Sequence, residues 1–273
     1  MRIELVVTDL DGTLWEMEEG VHDRTRAAIL HLLDQSTPLL VATGRRVAST
    51  RAPLAAIGLA PPAVVLNGAL GLDLASGDRF HRGGFSPDEA AAVLEAHLAH
   101  GVEPCVYLDH AEYPVWVSPT PSTHPAHLAS FDTDVGSGDL RTIVENEHVL
   151  AFGVLGIDER TAESVGQDLA AIATPHIDRD RQYGGWAVTV APRTQSKWDG
   201  VAAFCALHGL DPNAVMAIGD GPNDAELLEN AAVAVVPDDA HLAAQRHADH
   251  VVGAARDGGW ADILQLLDLT LPG

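Results

Sequence analysis

Two parts of the sequence share one pattern, in which short apolar runs alternate with longer amphipathic segments. Uniformly apolar runs are typical of parallel strands that helices cover on both faces. In residues 1–82 and 192–273 the runs predict strands at 3–8, 38–43, 63–66, 214–219, 233–236 and 250–252. The segments between them predict helices at 22–35, 47–57, 197–208, 222–230, 239–247 and 258–268, the first with Asp23 as its N-cap. We therefore expect an α/β core built from both ends of the chain.

The pattern changes between residues 83 and 191, where apolar and polar residues alternate within the predicted strands. The expected elements of this region are helices at 86–99 and 159–173 and strands at 103–108, 113–117, 149–157 and 186–191. Alternation of this kind is typical of an antiparallel sheet with one buried face. We interpret residues 83–191 as a smaller α+β domain that is inserted into the core.

Polar residues gather where strands of the core are predicted to end. The motif "DLDGT" (9–13) follows the first strand, "TGR" (43–45) follows the second, and "GDGPND" (219–224) follows the first strand after the insertion. Lys197 begins the helix that precedes that last strand. Because ligands of open parallel sheets bind at the carboxyl ends of the strands, we expect these segments to form one site.

Asp9 and Asp11 have the spacing that a two-step displacement at phosphorus needs. Residues i and i+2 of an extended chain project to the same side, so both carboxylates would face one pocket. Asp9 at the strand end could attack phosphorus as a nucleophile. Asp11 could protonate the leaving oxygen and later deprotonate water. Gly12 allows the chain to turn sharply after the two carboxylates. An Asx-turn pair that merely ends the strand is the alternative.

Three further residues suit a phosphoryl group. Thr43 supplies a hydroxyl, Gly44 lets a backbone N–H approach closely, and Lys197 supplies a point charge for the phosphoryl oxygens. Arg45 and Arg46 follow this turn and are candidates for contact with the substrate, although a surface position is an equal alternative.

Asp220 and Asp224 flank Pro222, a residue well suited to the first position of a helix. One carboxylate would then lie in the loop and the other in the first helical turn. Together with Asp9 they would form an anionic, all-oxygen site that suits Mg²⁺. The cation would also offset the repulsion between clustered acids.

Composition narrows the range of functions. The chain has 16 Lys+Arg and 39 Asp+Glu, a formal net charge of −23 at pH 7. So acidic a chain is unsuited to sequence-independent nucleic-acid binding or to an anionic membrane surface. Met1 leads directly into a predicted strand without a leader pattern, and no run of about 18 uncharged apolar residues occurs. We expect a cytoplasmic protein without a membrane span.

The motifs, in this order, resemble those of the haloacid dehalogenase-like hydrolase superfamily, Cof-type branch. The resemblance covers the whole chain and includes "NGA" (67–69) and "SKWDG" (196–200). It implies a Rossmann-like parallel-sheet core, in which residues 1–82 and 192–273 form one domain. It also implies a type IIB cap at 83–191, since the long interval from Thr43 to Lys197 is where that cap is inserted.

The resemblance implies a role for each site residue. Asp9 would be the nucleophile and Asp11 the general acid/base, while Thr43 and Lys197 would bind the phosphoryl group. Asp220 and Asp224 would hold Mg²⁺ with Asp9 and the carbonyl of Asp11. Asn223 would orient the phosphate or a metal ligand.

The predicted function is Mg²⁺-dependent hydrolysis of small phosphorylated metabolites, with sugar phosphates as the leading class. Two alternatives remain open: a phosphotransferase or sugar phosphomutase of the same superfamily, and a non-catalytic regulator that binds phosphometabolites. The sequence does not distinguish a monomer from a dimer.

Overall fold

The computed structural model describes residues 2–268 apart from 17–19, 111 and 181. In chain order its strands are β1 (Leu5–Thr8), β2 (Leu39–Ala42), β3 (Pro62–Val65), β4 (Leu70–Asp73), β5 (Arg79–Arg82), β6 (Cys105–Leu108), β7 (Val115–Val117), β8 (Val135–Ser137), β9 (Val149–Ile157), β10 (Thr174–Arg179), β11 (Trp186–Ala191), β12 (Val215–Ile218), β13 (Val233–Pro237) and β14 (His250–Val252). Its α-helices are α1 (Asp23–Asp34), α2 (Val47–Ala56), α3 (Pro87–Ala99), α4 (Pro125–Ala129), α5 (Leu140–Asn146), α6 (Glu159–Leu169), α7 (Lys197–His208), α8 (Ala225–Asn230), α9 (Leu242–Gln245) and α10 (Ile263–Leu266).

The described residues form two compact units. The first contains the chain up to Arg82 and again from Ser196, and the second contains Gly83–Gln195. The second unit therefore extends a few residues beyond 191, the predicted end of the insertion. None of the helices in the described part of the chain combines the length and the apolar character that crossing a lipid bilayer requires.

The first unit is built on an eight-stranded sheet with the order β14-β13-β12-β1-β2-β3-β4-β5. The strands from β14 to β3 are parallel, which confirms the predicted α/β class with a parallel core. The antiparallel strands β4 and β5 extend one edge and were not predicted from the sequence. Arg79 and Arg82 in β5 are exposed, and β4 contains Gly71 and ends in Asp73, so neither segment has the continuous run of apolar side chains that marks the central strands.

The central strand β1 is buried on both faces, which explains its uniformly apolar sequence. On one face, Leu5 and Val7 belong to a buried cluster that includes Val201 of α7. On the other face, the hydroxyl oxygen of Thr8 accepts a hydrogen bond from Nε1 of Trp260 at 3.0 Å. Side chains from distant parts of the chain thus fix β1, and with it the residues that follow its carboxyl end.

The second unit contains a six-stranded sheet with the order β10-β11-β9-β6-β7-β8. All neighbouring pairs are antiparallel except β7 and β8. Residues of α3, α5 and α6 pack in one buried cluster with strand residues such as Phe152 and Val188. The central strands β6 and β9 are apolar along most of their length, so the predicted alternation does not hold there, although the predicted α+β character does.

Several predicted element boundaries were wrong. Helix α1 is capped by His22, whose Nδ1 accepts from the N–H of Arg24 at 3.1 Å, and Asp23 is already its first residue. The predicted helix at 258–268 is a 3-10 turn followed by the short α10. Strands β8 and β10 and helices α4 and α5 were not predicted, because they are short or carry many polar residues.

Candidate active site

Asp9 lies directly after β1, at the carboxyl end of the parallel strands. Its backbone N–H donates to the carbonyl of Ile218, the last residue of the neighbouring β12, at 2.9 Å. The residue is only 6% exposed. Because β1 and β12 are adjacent and end at the same level, the first acidic segment lies beside the loop that contains Asp220 and Asp224.

Lys197 joins two of the predicted acidic residues. Its Nζ donates to Oδ1 of Asp224 at 2.6 Å and lies 3.1 Å from Oδ1 of Asp9. Oδ1 of Asp9 is buried and has no partner of hydrogen-bond geometry among the described residues, so its contact with Lys197 is electrostatic. Lys197 begins α7, where the N–H of Ser196 donates to the carboxylate of Asp199 at 2.7 Å and fixes the first turn.

Burial and neighbouring charges change the proton affinities of these groups. Burial raises the pKa of Asp9 well above its usual value, and although Lys197 lowers it, Asp224 and Asp220 raise it further. Burial likewise raises the pKa of Asp220 to about 7, with Asp224 adding to the effect. For Lys197, burial lowers the pKa, but the charges of Asp224 and Asp9 outweigh burial and hold it above its usual value. Lys197 is therefore a cation at neutral pH, and its single charge does not balance the surrounding carboxylates.

Asp220 is held beside the first acidic segment by Thr13, whose hydroxyl donates to Oδ1 of Asp220 at 2.7 Å. Gly12 makes room for this contact. It has a φ of +77°, and a Cβ at this position would lie 2.4 Å from Oδ2 of Asp220. Glycine is therefore needed in the "DLDGT" segment both for its left-handed backbone and for the approach of Asp220.

Asp224 is fully buried and uses both of its carboxylate oxygens within the protein. Oδ1 accepts from Lys197, and Oδ2 accepts from the N–H groups of Asp220 and Gly221 at 3.1 and 2.9 Å. Asp224 thus holds the loop after β12 in place and also fixes the ammonium group.

The acidic cluster fits a divalent cation. Asp9, Asp220 and Asp224 each place a carboxylate oxygen within 4.8 Å of the other two. Carboxylate oxygens are the ligands that a hard cation prefers. Both oxygens of Asp224 already accept hydrogen bonds, whereas Asp220 accepts one from Thr13 and Asp9 has its ion-pair contact with Lys197, so Asp9 and Asp220 suit direct ligation better than Asp224.

Asp11 has partners that the sequence did not suggest. The guanidinium of Arg45 donates to both oxygens of Asp11, through Nε and Nη2, each at 2.5 Å. Nε1 of Trp15 donates to Oδ1 of Asp11 at 3.0 Å, and the guanidinium lies 5.5 Å from the centroid of the Trp15 ring. In this structure both oxygens of Asp11 are thus engaged in a bidentate ion pair with Arg45.

The predicted phosphoryl-binding residues lie around the end of β2. Thr43 is buried, and its hydroxyl oxygen accepts from the N–H of Arg45 at 3.2 Å. Asn223 reaches this region from the loop after β12, since its Nδ2 donates to Oδ1 of Asn67 at 3.0 Å. A Cβ at Gly44 would lie 3.0 Å from the same oxygen of Asn67. The fold thus brings Thr43, Gly44 and Asn223 together around Asn67.

Asn67 belongs to the "NGA" motif but received no role in the sequence analysis. The signal was its place after a predicted strand, with an amide side chain next to glycine. Arg46, by contrast, caps α2, where its carbonyl accepts from the hydroxyls of Ser49 and Thr50 at 3.1 and 3.0 Å. Contact of Arg45 or Arg46 with a substrate stays a prediction.

A family model described as haloacid dehalogenase-like hydrolase matches residues 6–264, nearly the whole chain. The chain belongs to this family. The resemblance inferred from the motifs is thereby confirmed, and so is the prediction of an enzyme.

Most curated relatives of this haloacid dehalogenase-like hydrolase are named as phosphatases, and one is named as an endoribonuclease. The chain is 26% identical over 263 residues to a phosphoglycolate phosphatase from Methanopyrus kandleri, covering 96% of each chain. It is 24% identical to the 5-amino-6-(5-phospho-D-ribitylamino)uracil phosphatase YitU of Bacillus subtilis, again covering 96% of each.

Solved structures of the family share its fold. A sugar phosphatase of haloacid dehalogenase subclass IIB superposes with a TM-score of 0.76 and 20% identity, over 98% of this chain and 100% of the other. The likeness covers nearly the whole chain and shows a shared fold.

Proposed function

We propose that this protein is a Mg²⁺-dependent phosphatase that hydrolyses phosphomonoesters of small metabolites through a phosphorylated Asp9. The observation that carries the proposal is the arrangement of Asp9 beside Lys197, 3.1 Å away, with Asp220 and Asp224 in the same cluster. In this arrangement Asp9 would be the nucleophile at the carboxyl end of β1, Lys197 would be the fixed cation beside it, and the acidic cluster would be the metal site. The chain belongs to a hydrolase family, and most of its curated relatives are named as phosphatases, which supports the same activity.

The chain's own side chains would carry both chemical steps. In the first, a carboxylate oxygen of Asp9 forms a bond to phosphorus while the bond to the ester oxygen breaks, and Asp11 gives that oxygen a proton. In the second, Asp11 removes a proton from water and the water oxygen bonds to phosphorus while the bond from phosphorus to Asp9 breaks, so inorganic phosphate leaves and the Asp9 carboxylate is regenerated. Lys197 would stabilise the charge on the phosphoryl oxygens, and Thr43, Gly44 and Asn223 would orient the group.

Asp9 and Asp220 would hold Mg²⁺, and Asp224 lies in the same cluster. The carbonyl of Asp11 is the further ligand that the family resemblance implies. When bound, the cation supplies positive charge that neutralises the phosphoryl oxygens and the clustered carboxylates. Burial is the main cause of the raised pKa values of Asp9 and Asp220, and repulsion from the neighbouring carboxylates adds to it, a repulsion that a bound cation would offset.

We further propose sugar phosphates as the substrate class and the inserted unit, Gly83–Gln195, as the type IIB cap that selects among them. The similarity to a subclass IIB sugar phosphatase supports this choice. Phosphoglycolate and a phosphorylated ribitylamino-uracil, the substrates named for curated relatives, are the competing candidates.

The test is an assay of the purified protein with p-nitrophenyl phosphate, with and without Mg²⁺, beside an Asp9→Asn variant. We expect turnover that requires Mg²⁺ and is lost in the variant. Equal rates for wild type and Asp9→Asn would overturn the proposal. A panel of sugar phosphates, phosphoglycolate and the uracil derivative then ranks kcat/KM, and faster phosphoryl transfer to a sugar hydroxyl than to water would identify a phosphotransferase instead.

A further inference from the structure

The turn at Leu66–Gly68, which follows β3, has an unusual backbone. Leu66, Asn67 and Gly68 all have positive φ values, of 52°, 53° and 103°. Leucine rarely adopts this left-handed conformation, which costs roughly 1 kcal/mol or more for a residue with a Cβ. The surrounding contacts must therefore hold the turn in place.

The main chain of this turn is fastened to the end of β2, where the predicted phosphoryl-binding residues begin. The N–H of Leu66 donates to the carbonyl of Arg45 at 2.9 Å, and the N–H of Asn67 donates to the carbonyl of Thr43 at 3.1 Å. Two hydrogen bonds in succession thus fix the backbone on both sides of Gly44.

The same turn also lies against the start of α7. A Cβ at position 68 would lie 2.0 Å from the carbonyl oxygen of Ser196, the residue before Lys197. Only glycine allows this approach, so Gly68 brings the turn into contact with the backbone that carries the ammonium group.

The side chain of Asn67 reaches the remaining segment. Asn67 is nine-tenths buried, and its Oδ1 accepts from Nδ2 of Asn223 at 3.0 Å. Because a carbonyl oxygen can only accept, this bond determines which end of the Asn223 amide faces Asn67 and leaves Oδ1 of Asn223 for other partners. The amide of Asn67 also lies beside Gly44, where a Cβ would be 3.0 Å from its Oδ1 and 3.4 Å from its Nδ2.

We propose that Asn67 is a positioning residue for the phosphoryl site. Its side chain orients Asn223, and its main chain holds Thr43 and Gly44, so that groups from two distant loops keep one mutual geometry. The inference rests on the proposed function, in which Thr43, Gly44 and Asn223 bind the phosphoryl group. Small displacements of such groups lower rates strongly, because binding and catalysis depend on alignment.

The Asn67→Gly variant removes the side chain of Asn67 but keeps the main-chain conformation of the turn. Glycine adopts the left-handed conformation without strain, so the turn should form and the melting temperature should stay near that of the wild type. We expect kcat/KM for p-nitrophenyl phosphate to fall by about 10- to 100-fold, and the Kd for inorganic phosphate to rise.

Ser36→Gly is the matched control, since Ser36 is an exposed residue with a φ of 59°. It changes a left-handed residue to glycine outside the site, and both kcat/KM and phosphate binding should be unchanged. If Asn67→Gly also leaves kcat/KM and the phosphate Kd within twofold of the wild type, the positioning role is wrong.

A double-mutant cycle with Asn223→Ala gives a readout that loss of packing alone would not produce. If Asn67 acts through Asn223, the double variant should bind inorganic phosphate about as weakly as Asn223→Ala alone. If the two substitutions instead weaken phosphate binding independently, so that their fold-changes in Kd multiply in the double variant, the inference is wrong. Phosphate binding can be measured without turnover. If the cycle shows coupling between Asn67 and Asn223 but the wild type hydrolyses no ester, the proposed function is wrong and the positioning role is supported. A wild type that neither binds phosphate nor hydrolyses an ester would overturn both.

Discussion

The Nζ atom of Lys197 lies 2.6 Å from Oδ1 of Asp224, and neither side chain is exposed to solvent. A buried ion pair of this kind adds little stability over an apolar pair, but breaking it leaves a buried charge without a partner. The pair also links α7 to the loop after β12, because Oδ2 of the same carboxylate accepts from the N–H groups of Asp220 and Gly221. It therefore ties the stability of the first unit to the geometry of the candidate site.

Lys197→Met should destabilise the protein by about 3–5 kcal/mol, since Asp224 and Asp9 would lose their only nearby cation in the described cluster. Phosphatase activity should be lost as well. Urea unfolding in the presence of EDTA measures the first effect. Arg256→Met is the matched control, because it removes the same charge from an exposed pair with Asp239 and should change little. A Lys197→Met protein as stable as this control would contradict the structural role.

Mg²⁺ should raise the melting temperature of the wild type, because a cation that binds only the folded cluster stabilises the folded state. Asp220→Asn should abolish most of that increase, since it removes a carboxylate of the cluster that suits direct ligation and has a raised pKa. Thermal unfolding with EDTA and with increasing Mg²⁺ measures the shift. Asp262→Asn, which breaks the surface pair with Arg24, serves as control and should respond like the wild type. A full Mg²⁺ response in Asp220→Asn would place the metal elsewhere.

Asp11→Asn should slow hydrolysis by about 100-fold or more, because the group proposed to move the proton is lost in both steps. Mg²⁺-dependent stabilisation should persist, as the side chain of Asp11 is bonded to Arg45 and Trp15. Rapid quenching followed by intact-protein mass spectrometry should show a longer-lived phosphorylated protein. The assignment of Asp11 is wrong if the variant keeps wild-type turnover.

His97 should make the second unit less stable in acid. Burial lowers the pKa of His97 to about 4, below the usual value of 6.5, and its Nδ1 is bonded to the carbonyl of Val93 at 2.8 Å. Between these two values the unfolded chain binds a proton that the folded protein excludes, so stability falls as the pH falls. From pH 7 to pH 5 this group should cost about 2 kcal/mol.

The measurement is urea unfolding of wild type and His97→Asn at pH 7 and pH 5. The variant keeps a side-chain amide near the carbonyl of Val93 but cannot gain the proton, so its stability should depend less on pH. His250→Gln changes an exposed histidine and should keep the wild-type slope. Identical slopes in all three proteins would show that His97 does not titrate as described.

Much of the site could be read from the sequence because strand ends are local features. The apolar run of β1 stops at Asp9, and that of β12 stops just before Asp220, so the position of each acidic segment follows from its own neighbours. Parallel strands then bring those ends to one edge of the sheet. The hairpin β4–β5 was missed, since β4 contains Gly71 and ends in Asp73 and β5 carries the exposed Arg79 and Arg82.

The sequence by itself determined the fold class, the family and the segments that form the site. Only the tertiary structure decided which side chains pair within it: Asp11 with Arg45, Asn67 with Asn223, and Asp224 with Lys197. The physical reason is distance along the chain. Periodicity and turn chemistry act over a few residues, whereas each of these pairs joins separate elements whose register and burial are set by the packing of the whole unit.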